Sequence, residues 1–388
     1  MATRSRADAL PSTILKGPVM AEALGAPRVA GRTTPLAPSP ERAGRDLVER
    51  VLSRPPLAGL ARFEALAAVG DPAGAEVAIC LPLCDEAALI GTTLDALAAS
   101  IRRSGAACAL VVAANDTSDD SLRIAEVRLR AAGVPALILG VSLAPAIRGA
   151  PAARRIAMDI GAALAPGGAL LTTDADTIAA PDWVGANLRH LAGGADLVCG
   201  AVDVDPGEIA ALPGRVRECG EAEAMLHAAL DARWRLLVPD GSRAFVQRAM
   251  GASLAIRAPL YAALGGLPMP ASGEDRALAT LCRRGGRRVV AAPDARVTAS
   301  CRLRGRAAGG MAGALRERIA MDDPPCDEAL VPPAVLDRRA AAWIEVSRSG
   351  MPDPHGAFEA LCEARPDLRA ARMGLREVRR TLRDMGHG

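Results

Sequence analysis

The chain has 388 residues, half of them hydrophobic and only 2% aromatic, so a large core must be built from aliphatic side chains. The formal net charge of +3 is close to balance. The absence of a concentrated basic stripe and of aromatic stacking platforms argues against a nucleic-acid-binding protein. The nine cysteines include no Cys-x-x-Cys pair, which gives no zinc motif and fits a reducing compartment.

The N-terminal part shows no targeting or membrane-spanning pattern. Arg4 and Arg6 are not followed by a continuous apolar segment, so a secretory signal is not predicted. No stretch approaches the roughly 18 to 20 apolar residues that a bilayer span needs. We expect a soluble, cytoplasmic protein without a transmembrane segment, and we leave peripheral membrane contact and the oligomeric state open.

Residues 1–75 are predicted to precede the main domain. Residues 1–45 are rich in Pro, Ala, Ser and Arg without periodicity, which predicts a disordered leader. A helical pattern over residues 46–69 ends at the turn Gly70-Asp71-Pro72, so residues 46–75 are interpreted as a helical lead-in.

From residue 77 onward, short apolar strands alternate with helical patterns. The predicted strands are 77–83, 109–113, 136–139 and 169–173, and the predicted helices are 86–101, 121–132 and 152–164. This alternation predicts an α/β fold with a Rossmann-like, mostly parallel sheet flanked by helices. In such sheets ligands bind beyond the carboxyl ends of the strands.

The pattern changes after residue 182. Residues 215–237 predict one long helix. Further strands are predicted at 251–256 and 289–291, and a further helix at 276–284. Proline-punctuated helical patterns fill residues 321–388, so we predict a main domain over residues 76–320 and a helical C-terminal extension.

Acidic turns follow three of the predicted strands. Asp85 and Glu86 follow the first, Asp116 follows the second, and Asp174 and Asp176 follow the fourth. The carboxyl ends of parallel strands share one edge, so these side chains are expected to cluster there.

The Asp174-x-Asp176 pattern, a DXD motif, is the strongest metal candidate. Two carboxylates at this spacing on a turn can face one Mg²⁺ or Mn²⁺, which leaves other positions for water and substrate phosphates. Such an ion offsets the charge of a diphosphate leaving group. The alternative is that Asp favours turns for its local hydrogen bonds.

A second acidic pair, Glu274-Asp275, has two interpretations. Ser272 stands three residues before Asp275, which is a capping-box pattern, and acidic residues suit the first turn of a helix. A carboxylate here could also act as a general base toward an acceptor hydroxyl. Considered alone, the Ser272-to-Asp275 spacing favours the helix-capping interpretation. A carboxylate at a capped helix start could also be a general base, so the two interpretations are compatible.

The basic segment 302–306 contains Arg302 and Arg306 and is followed by Gly309-Gly310. Guanidinium groups bind phosphate with two hydrogen bonds, and glycine lets the backbone approach closely. The alternative is a solvated basic loop. The four histidines show no metal-ligand spacing to one another.

Taken in order, these motifs resemble the inverting glycosyltransferases of family 2, which have the GT-A fold. The matching segments are 82–86, 115–120, 149–155, Asp174 with Asp176, 251–253, 265–267 and Glu274-Asp275. The resemblance covers roughly residues 76–315. Asn115, Thr117 and Arg155 depart from the family pattern, and the signature of processive synthases is absent, which implies a non-processive enzyme.

The resemblance implies a role for each candidate residue. Asp85 and Asp116 would lie near the nucleotide base, in a pocket shaped by Pro82, Leu83 and Glu86. The remaining roles are Arg154 near the nucleotide, Asp174 at the ribose or metal, Asp176 on the metal, Asp275 as catalytic base beside Glu274, and Arg302 or Arg306 at the diphosphate.

The hypothesis is an enzyme that uses Mn²⁺ or Mg²⁺ to transfer a sugar from a nucleotide-diphosphate donor to an acceptor hydroxyl, with inversion at the anomeric carbon. A sugar-phosphate nucleotidyltransferase is one alternative, but residues 81–86 lack the glycine-rich phosphate loop expected there. A non-catalytic nucleotide-sugar-binding module is another, disfavoured because both acidic pairs are present. The loop 238–250, where we expect recognition, does not identify the sugar, nucleotide or acceptor.

Overall fold

The computed structural model describes residues 39–238, 249–303, 305 and 310–387. The strands among them are β1 (Ala61–Val69), β2 (Val77–Leu83), β3 (Cys108–Asn115), β4 (Ala136–Leu143), β5 (Ala169–Thr172), β6 (Thr177–Ala179), β7 (Leu197–Val204), β8 (Leu254–Arg257) and β9 (Val289–Ala299).

Thirteen α-helices are found in the same part of the chain. They are α1 (Pro40–Leu52), α2 (Ile90–Ser104), α3 (Ser121–Ala132), α4 (Ala150–Leu164), α5 (Trp183–Ala192), α6 (Pro206–Ala211), α7 (Gly214–Leu237), α8 (Ala258–Ala263), α9 (Glu274–Arg284), α10 (Met311–Ala320), α11 (Pro333–Arg348), α12 (Pro354–Ala364) and α13 (Leu375–Asp384). A short 3₁₀ helix, Pro366–Leu368, precedes α13.

The strands form one sheet in the order β1-β4-β3-β2-β5-β8-β7-β9-β6. Strand β2 pairs in parallel with β3 and with β5, and β3 pairs in parallel with β4. Strand β8 runs antiparallel to β5, so its first residue, Leu254, pairs with Thr172 at the end of β5. The carboxyl ends of the central parallel strands and the start of β8 therefore meet at one edge of the sheet.

Helices cover both faces of this sheet. Every residue of β2 and β3 is buried, which explains why their sequences are continuous apolar runs rather than alternating ones. Apolar residues of α2, α3 and α5 pack into the core on one face. Those of α1, α4, α8 and α9 pack into the core on the other face. The predicted α/β sheet flanked by helices is confirmed.

The C-terminal helices have a separate core. Leu226 and Trp234 of α7 pack with Leu336 and Trp343 of α11 and Phe358 of α12 in one buried cluster. Trp343 and Phe358 meet edge to face, with ring centroids 5.4 Å apart. Helices α11, α12 and α13 thus share one buried cluster with α7. Among the described residues, no helix combines the length and the apolar character that crossing a membrane requires.

Two predictions for the N-terminal part were wrong where the structure describes it. The leader was expected to extend to residue 45, but α1 begins at Pro40, where Ser39 caps it by accepting a hydrogen bond from the Arg42 amide at 3.3 Å. Proline at the first helical position is favourable because its missing N–H would be unpaired there. The rest of the predicted leader, residues 1–38, lies outside the described residues.

The predicted helical lead-in, residues 46–75, is wrong in its second half. Residues Ala61–Val69 form β1, which pairs antiparallel with β4. An irregularity between Phe63 and Ala65 breaks the inward and outward alternation of this strand. The period-two pattern that identifies a half-buried strand is therefore blurred in the sequence.

Candidate active site

The predicted acidic turns meet at the carboxyl edge of the sheet. The loop after β2 carries Asp85 and Glu86, and the turn between β5 and β6 carries Asp174 and Asp176. The end of β9 also reaches this edge, because the Ser300 amide donates to the Asp176 carbonyl at 3.3 Å. The sheet topology thus brings together residues that are far apart in the sequence.

Asp85 and Asp116 shape the loops that follow β2 and β3. Both have positive φ angles, 45° and 49°, which are uncommon for residues other than glycine. Asp85 Oδ1 accepts from the backbone amides of Ser118, at 2.7 Å, and Asp119, at 3.2 Å. Asp116 Oδ1 accepts from the Leu143 amide at 3.4 Å. These contacts fix the two loops against each other and against β4.

Pro82 and Leu83 are buried at the end of β2. They support the Asp85 loop from within the sheet. Glu86 is also buried, and its backbone amide donates to Ser121 Oγ at the start of α3 at 2.7 Å. The Glu86 side chain reaches the site, where it forms an ion pair with Arg302.

The turn with Asp174 and Asp176 is held on both sides. Thr93 Oγ1 of α2 donates to the Ala175 carbonyl at 2.9 Å, opposite the contact from Ser300. The side chains of Asp174 and Asp176 remain 37% and 27% exposed, so solvent reaches them. Sequence reasoning missed Thr93, which lies inside the helical pattern of α2 and carries no recognisable motif.

Arg302 connects the end of β9 to two of these carboxylates. Its Nη2 lies 3.0 Å from Asp176 Oδ2 and also pairs with Glu86. Burial lowers the pKa of Arg302, but its contacts with Glu86 and Asp176 outweigh this and raise the pKa above its ordinary value. Arg302 therefore stays charged beside the predicted metal ligands. Arg306 lies outside the described residues.

Arg154, on α4, is the central connection of the site. The side chain is nearly fully buried, and all three guanidinium nitrogens bind protein atoms. Nη2 lies 2.6 Å from Asp174 Oδ1, and Nε lies 3.1 Å from Glu274 Oε1. Nη1 donates to Thr172 Oγ1 at 2.8 Å and to the Gly251 carbonyl at 2.9 Å. This arrangement fits a residue that positions carboxylates better than it fits a direct ligand of the nucleotide.

Glu274 and Asp275 begin α9 in different environments. Glu274 is buried against Arg154. Asp275 is half-buried, and its Oδ2 accepts from the Gly251 amide at 2.8 Å. Gly251 therefore links Arg154, through its carbonyl, to Asp275, through its amide. The acidic start of α9 and the Asp174 turn are thus joined at one edge of the sheet.

The capping box predicted for Ser272 and Asp275 was wrong. The residue that caps α9 is Gly273, with φ of 80°, and Ser272 makes no capping hydrogen bond, whereas the Arg276 amide in the first turn donates to Asp275 Oδ1 at 2.7 Å. A glycine takes this backbone conformation readily, so the helix begins without a side-chain cap. Ser272 therefore does not cap the helix, whereas Asp275 makes two structural contacts, accepting from the Arg276 amide in the first turn and from the Gly251 amide.

The charges of the site fit a divalent cation. Arg154 and Arg302 together hold four carboxylates, those of Asp174, Glu274, Glu86 and Asp176, which leaves two negative charges in excess when all are ionised. Burial, reinforced by the charges of Asp174 and Glu86, raises the pKa of Asp176 to about 6. Exposed carboxylate oxygens are the donors that Mg²⁺ and Mn²⁺ prefer. Asp174 and Asp176 therefore have suitable chemistry to hold such an ion.

The comparisons with known proteins gave similar folds at low identity. No protein-family model and no curated protein sequence matched the chain. One similar structure is a mannosyltransferase from Pyrobaculum calidifontis in complex with GDP-Man and Mn²⁺. It is 17% identical over 83% of this chain and 88% of that chain, with a TM-score of 0.44.

Two other similar structures come from different organisms. S. aureus TarS, residues 1–349 in complex with UDP, is 12% identical over 75% of this chain and 72% of that chain, with a TM-score of 0.41. Glucosyl-3-phosphoglycerate synthase from Mycobacterium tuberculosis, in complex with Mn²⁺, UDP and phosphoglyceric acid, is 22% identical. The match covers 63% of this chain and 77% of that chain, with a TM-score of 0.35. Similarity at this level does not assign the chain to a family.

Proposed function

We propose that this chain is a metal-dependent glycosyltransferase of the GT-A type. It transfers a sugar from a nucleotide-diphosphate donor to an acceptor hydroxyl, with inversion at the anomeric carbon. The observation that supports this most is the bridge formed by Arg154, which joins Asp174 to Glu274 at the carboxyl edge of the sheet. The catalytic domain would comprise residues 76–320, with residues 321–388 as an extension packed on α7.

The donor nucleotide would bind over the loops after β2 and β3. Asp85 and Asp116 hold these loops in their unusual conformation through side-chain hydrogen bonds to backbone amides. Pro82, Leu83 and Glu86 form the floor of the same region. Backbone fixed in this way is a common feature of ligand-binding sites.

The donor diphosphate would lie beside Asp174, Asp176 and Arg302. A divalent cation bound by the two aspartates would neutralise the charge that develops on the diphosphate when the sugar leaves. Arg302 already lies within ion-pair distance of Asp176, so its guanidinium is placed to bind a phosphate oxygen next to that residue. The buried Arg154 guanidinium orients Asp174 by donating to its carboxylate, and it is not itself exposed to the donor.

Asp275 would act as the general base. Its carboxylate takes the proton of the acceptor hydroxyl while that oxygen forms a bond to the anomeric carbon. The bond between this carbon and the diphosphate oxygen breaks in the same step, and the diphosphate keeps the electron pair. Attack from the face opposite the leaving group inverts the configuration. Glu274 is the less suitable base because Arg154 holds its carboxylate in a buried ion pair.

A thermal-shift screen of nucleotide-diphosphate sugars, with and without Mn²⁺, tests this proposal. At a donor concentration of 100 times Kd, we expect about 2.7 kcal/mol of stabilisation, seen as a rise in Tm. Part of that rise should require Mn²⁺. Asp176→Asn should remove the part that requires Mn²⁺, since it removes one of the proposed charged ligands.

Asp203→Asn is the matched control, because Asp203 is a half-exposed carboxylate that pairs with an arginine outside the site. The control should respond to donor and Mn²⁺ as the unmodified chain does. The proposal is contradicted if no nucleotide sugar raises Tm, or if the Mn²⁺ effect survives in Asp176→Asn. An equal response to nucleoside triphosphates would favour the nucleotidyltransferase alternative.

A further inference from the structure

A second group of potential metal ligands lies between α7 and the C-terminal extension. Cys219 and Glu223 are one turn apart on α7, and Cys326 lies in the segment between α10 and α11. One donor atom from each of the three lies within 4.8 Å of the other two. No other group of three or more Cys, His, Asp or Glu side chains comes this close within the part of the chain that the structure describes.

The distance between the two sulfur atoms fits a shared metal ion. Cys219 Sγ and Cys326 Sγ are 3.9 Å apart, and both side chains are fully buried. Two thiolates bound to Zn²⁺ at about 2.3 Å in tetrahedral geometry are about 3.8 Å apart. A disulfide requires an S–S distance of about 2.05 Å and makes no use of a third donor. The nearby Glu223 carboxylate therefore favours a metal ion over a disulfide.

Neighbouring groups orient this carboxylate and balance its charge. Glu223 Oε2 accepts from Arg318 Nη2 at 2.7 Å, and Oε1 accepts from the Asp327 amide at 2.9 Å. Ligating carboxylates in metal sites are commonly hydrogen-bonded in this way. With both thiols ionised, one Zn²⁺ together with the Arg318 guanidinium would neutralise the three negative charges of the cluster.

A nitrogen donor lies one turn further along the same face of α7. His227 Nε2 is buried and is 3.4 Å from Asp327 Oδ2, but the contact lacks hydrogen-bond geometry. Spacing of four residues places Cys219, Glu223 and His227 on one side of the helix. His227 is not part of the group whose donor atoms lie within 4.8 Å of one another, so the fourth coordination position is left to a water molecule.

We propose that Cys219, Glu223 and Cys326 bind one Zn²⁺, which fastens the C-terminal extension to α7. Soft thiolate ligands select zinc over Mg²⁺ and Mn²⁺, the harder cations that suit Asp174 and Asp176. The Cys326 amide donates to the Met373 carbonyl at 2.9 Å, so the ion would also stabilise the segment that leads into α13.

The test uses the full chain purified in reducing buffer without chelator. We expect elemental analysis to find one zinc per chain. Replacing zinc by Co²⁺ should give the charge-transfer absorption that is specific to cobalt–thiolate bonds. Cys219→Ser and Cys326→Ser should each lower this absorption at least about two-fold, since each removes one of the two thiolates, whereas the matched control Cys362→Ser, at a half-buried cysteine of α12, should keep it. Asp176→Asn should also keep the cobalt–thiolate absorption, because the proposed cation site at Asp174 and Asp176 contains no thiolate.

Cobalt titration of the unmodified, metal-free chain keeps the proposal testable if the cysteine variants do not fold. Glu223→Gln, which retains both thiols, should bind Co²⁺ at least about 10-fold more weakly. The proposal is overturned if the unmodified chain gives no thiolate absorption, or if the absorption has undiminished intensity in Cys219→Ser. A Cys219–Cys326 disulfide detected by non-reducing mass spectrometry in chain that is free of metal would also overturn it.

Discussion

Replacing Asp275 by Asn is expected to slow sugar transfer by about 10²- to 10⁴-fold without weakening donor binding. Asparagine has nearly the same shape, and its side-chain oxygen can still accept from the Gly251 amide, so the start of α9 should persist. The amide cannot take the proton of the acceptor hydroxyl. The measurement is the initial rate of nucleoside diphosphate release at saturating donor, together with the donor-induced rise in Tm.

Two further variants make the result specific. Asp182→Asn changes an exposed carboxylate that pairs with Arg189, and it should leave the rate unchanged. Glu274→Gln tests the neighbouring acid, which should matter less to the rate because Arg154 already neutralises it. A normal rate in Asp275→Asn, or a larger loss in Glu274→Gln than in Asp275→Asn, contradicts the assignment of Asp275 as the base.

Replacing Arg154 by Met is expected to lower the free energy of unfolding by about 3–5 kcal/mol. Methionine fills much of the same volume but leaves Glu274 buried without its cation, and it removes the partner of Asp174. Thr172 and the Gly251 carbonyl also lose a donor. Urea denaturation followed by circular dichroism measures this change.

The double variant Arg154→Met with Glu274→Gln separates an uncompensated charge from lost packing. Removing the charge of Glu274 should recover part of the stability, so the two changes should not add. Arg62→Met, at an arginine whose side chain is 77% exposed, should alter stability by less than about 0.5 kcal/mol. A loss below about 1 kcal/mol for Arg154→Met would contradict the central structural role given to this arginine.

The sequence was sufficient to predict where the first acidic residues meet. Strands β2, β3 and β5 are buried on both faces and read as short apolar runs, and parallel strands place their carboxyl ends at one edge. Asp85, Asp116 and Asp174 directly follow these ends, so their common location depends only on local pattern and sheet geometry.

The arrangement around Arg154 could not be predicted in the same way. Its bond to Glu274 spans 120 positions in the sequence, and it depends on how α4 and α9 pack against the sheet. The Ser272 pattern was misleading because Gly273, with a positive φ angle, occupies the N-cap position of α9. Cys219 and Cys326 are 107 positions apart, so no short spacing motif could connect them.

The most direct measurement is an anomalous difference map from crystals of the full chain soaked with Mn²⁺ and a nucleoside diphosphate. We predict a manganese peak within bonding distance of the Asp176 carboxylate, with a diphosphate oxygen as a further ligand and the nucleotide over the loops that hold Asp85 and Asp116. Manganese and diphosphate bound elsewhere, with the Asp176 carboxylate contacting only Arg302, would contradict the proposed glycosyltransferase site.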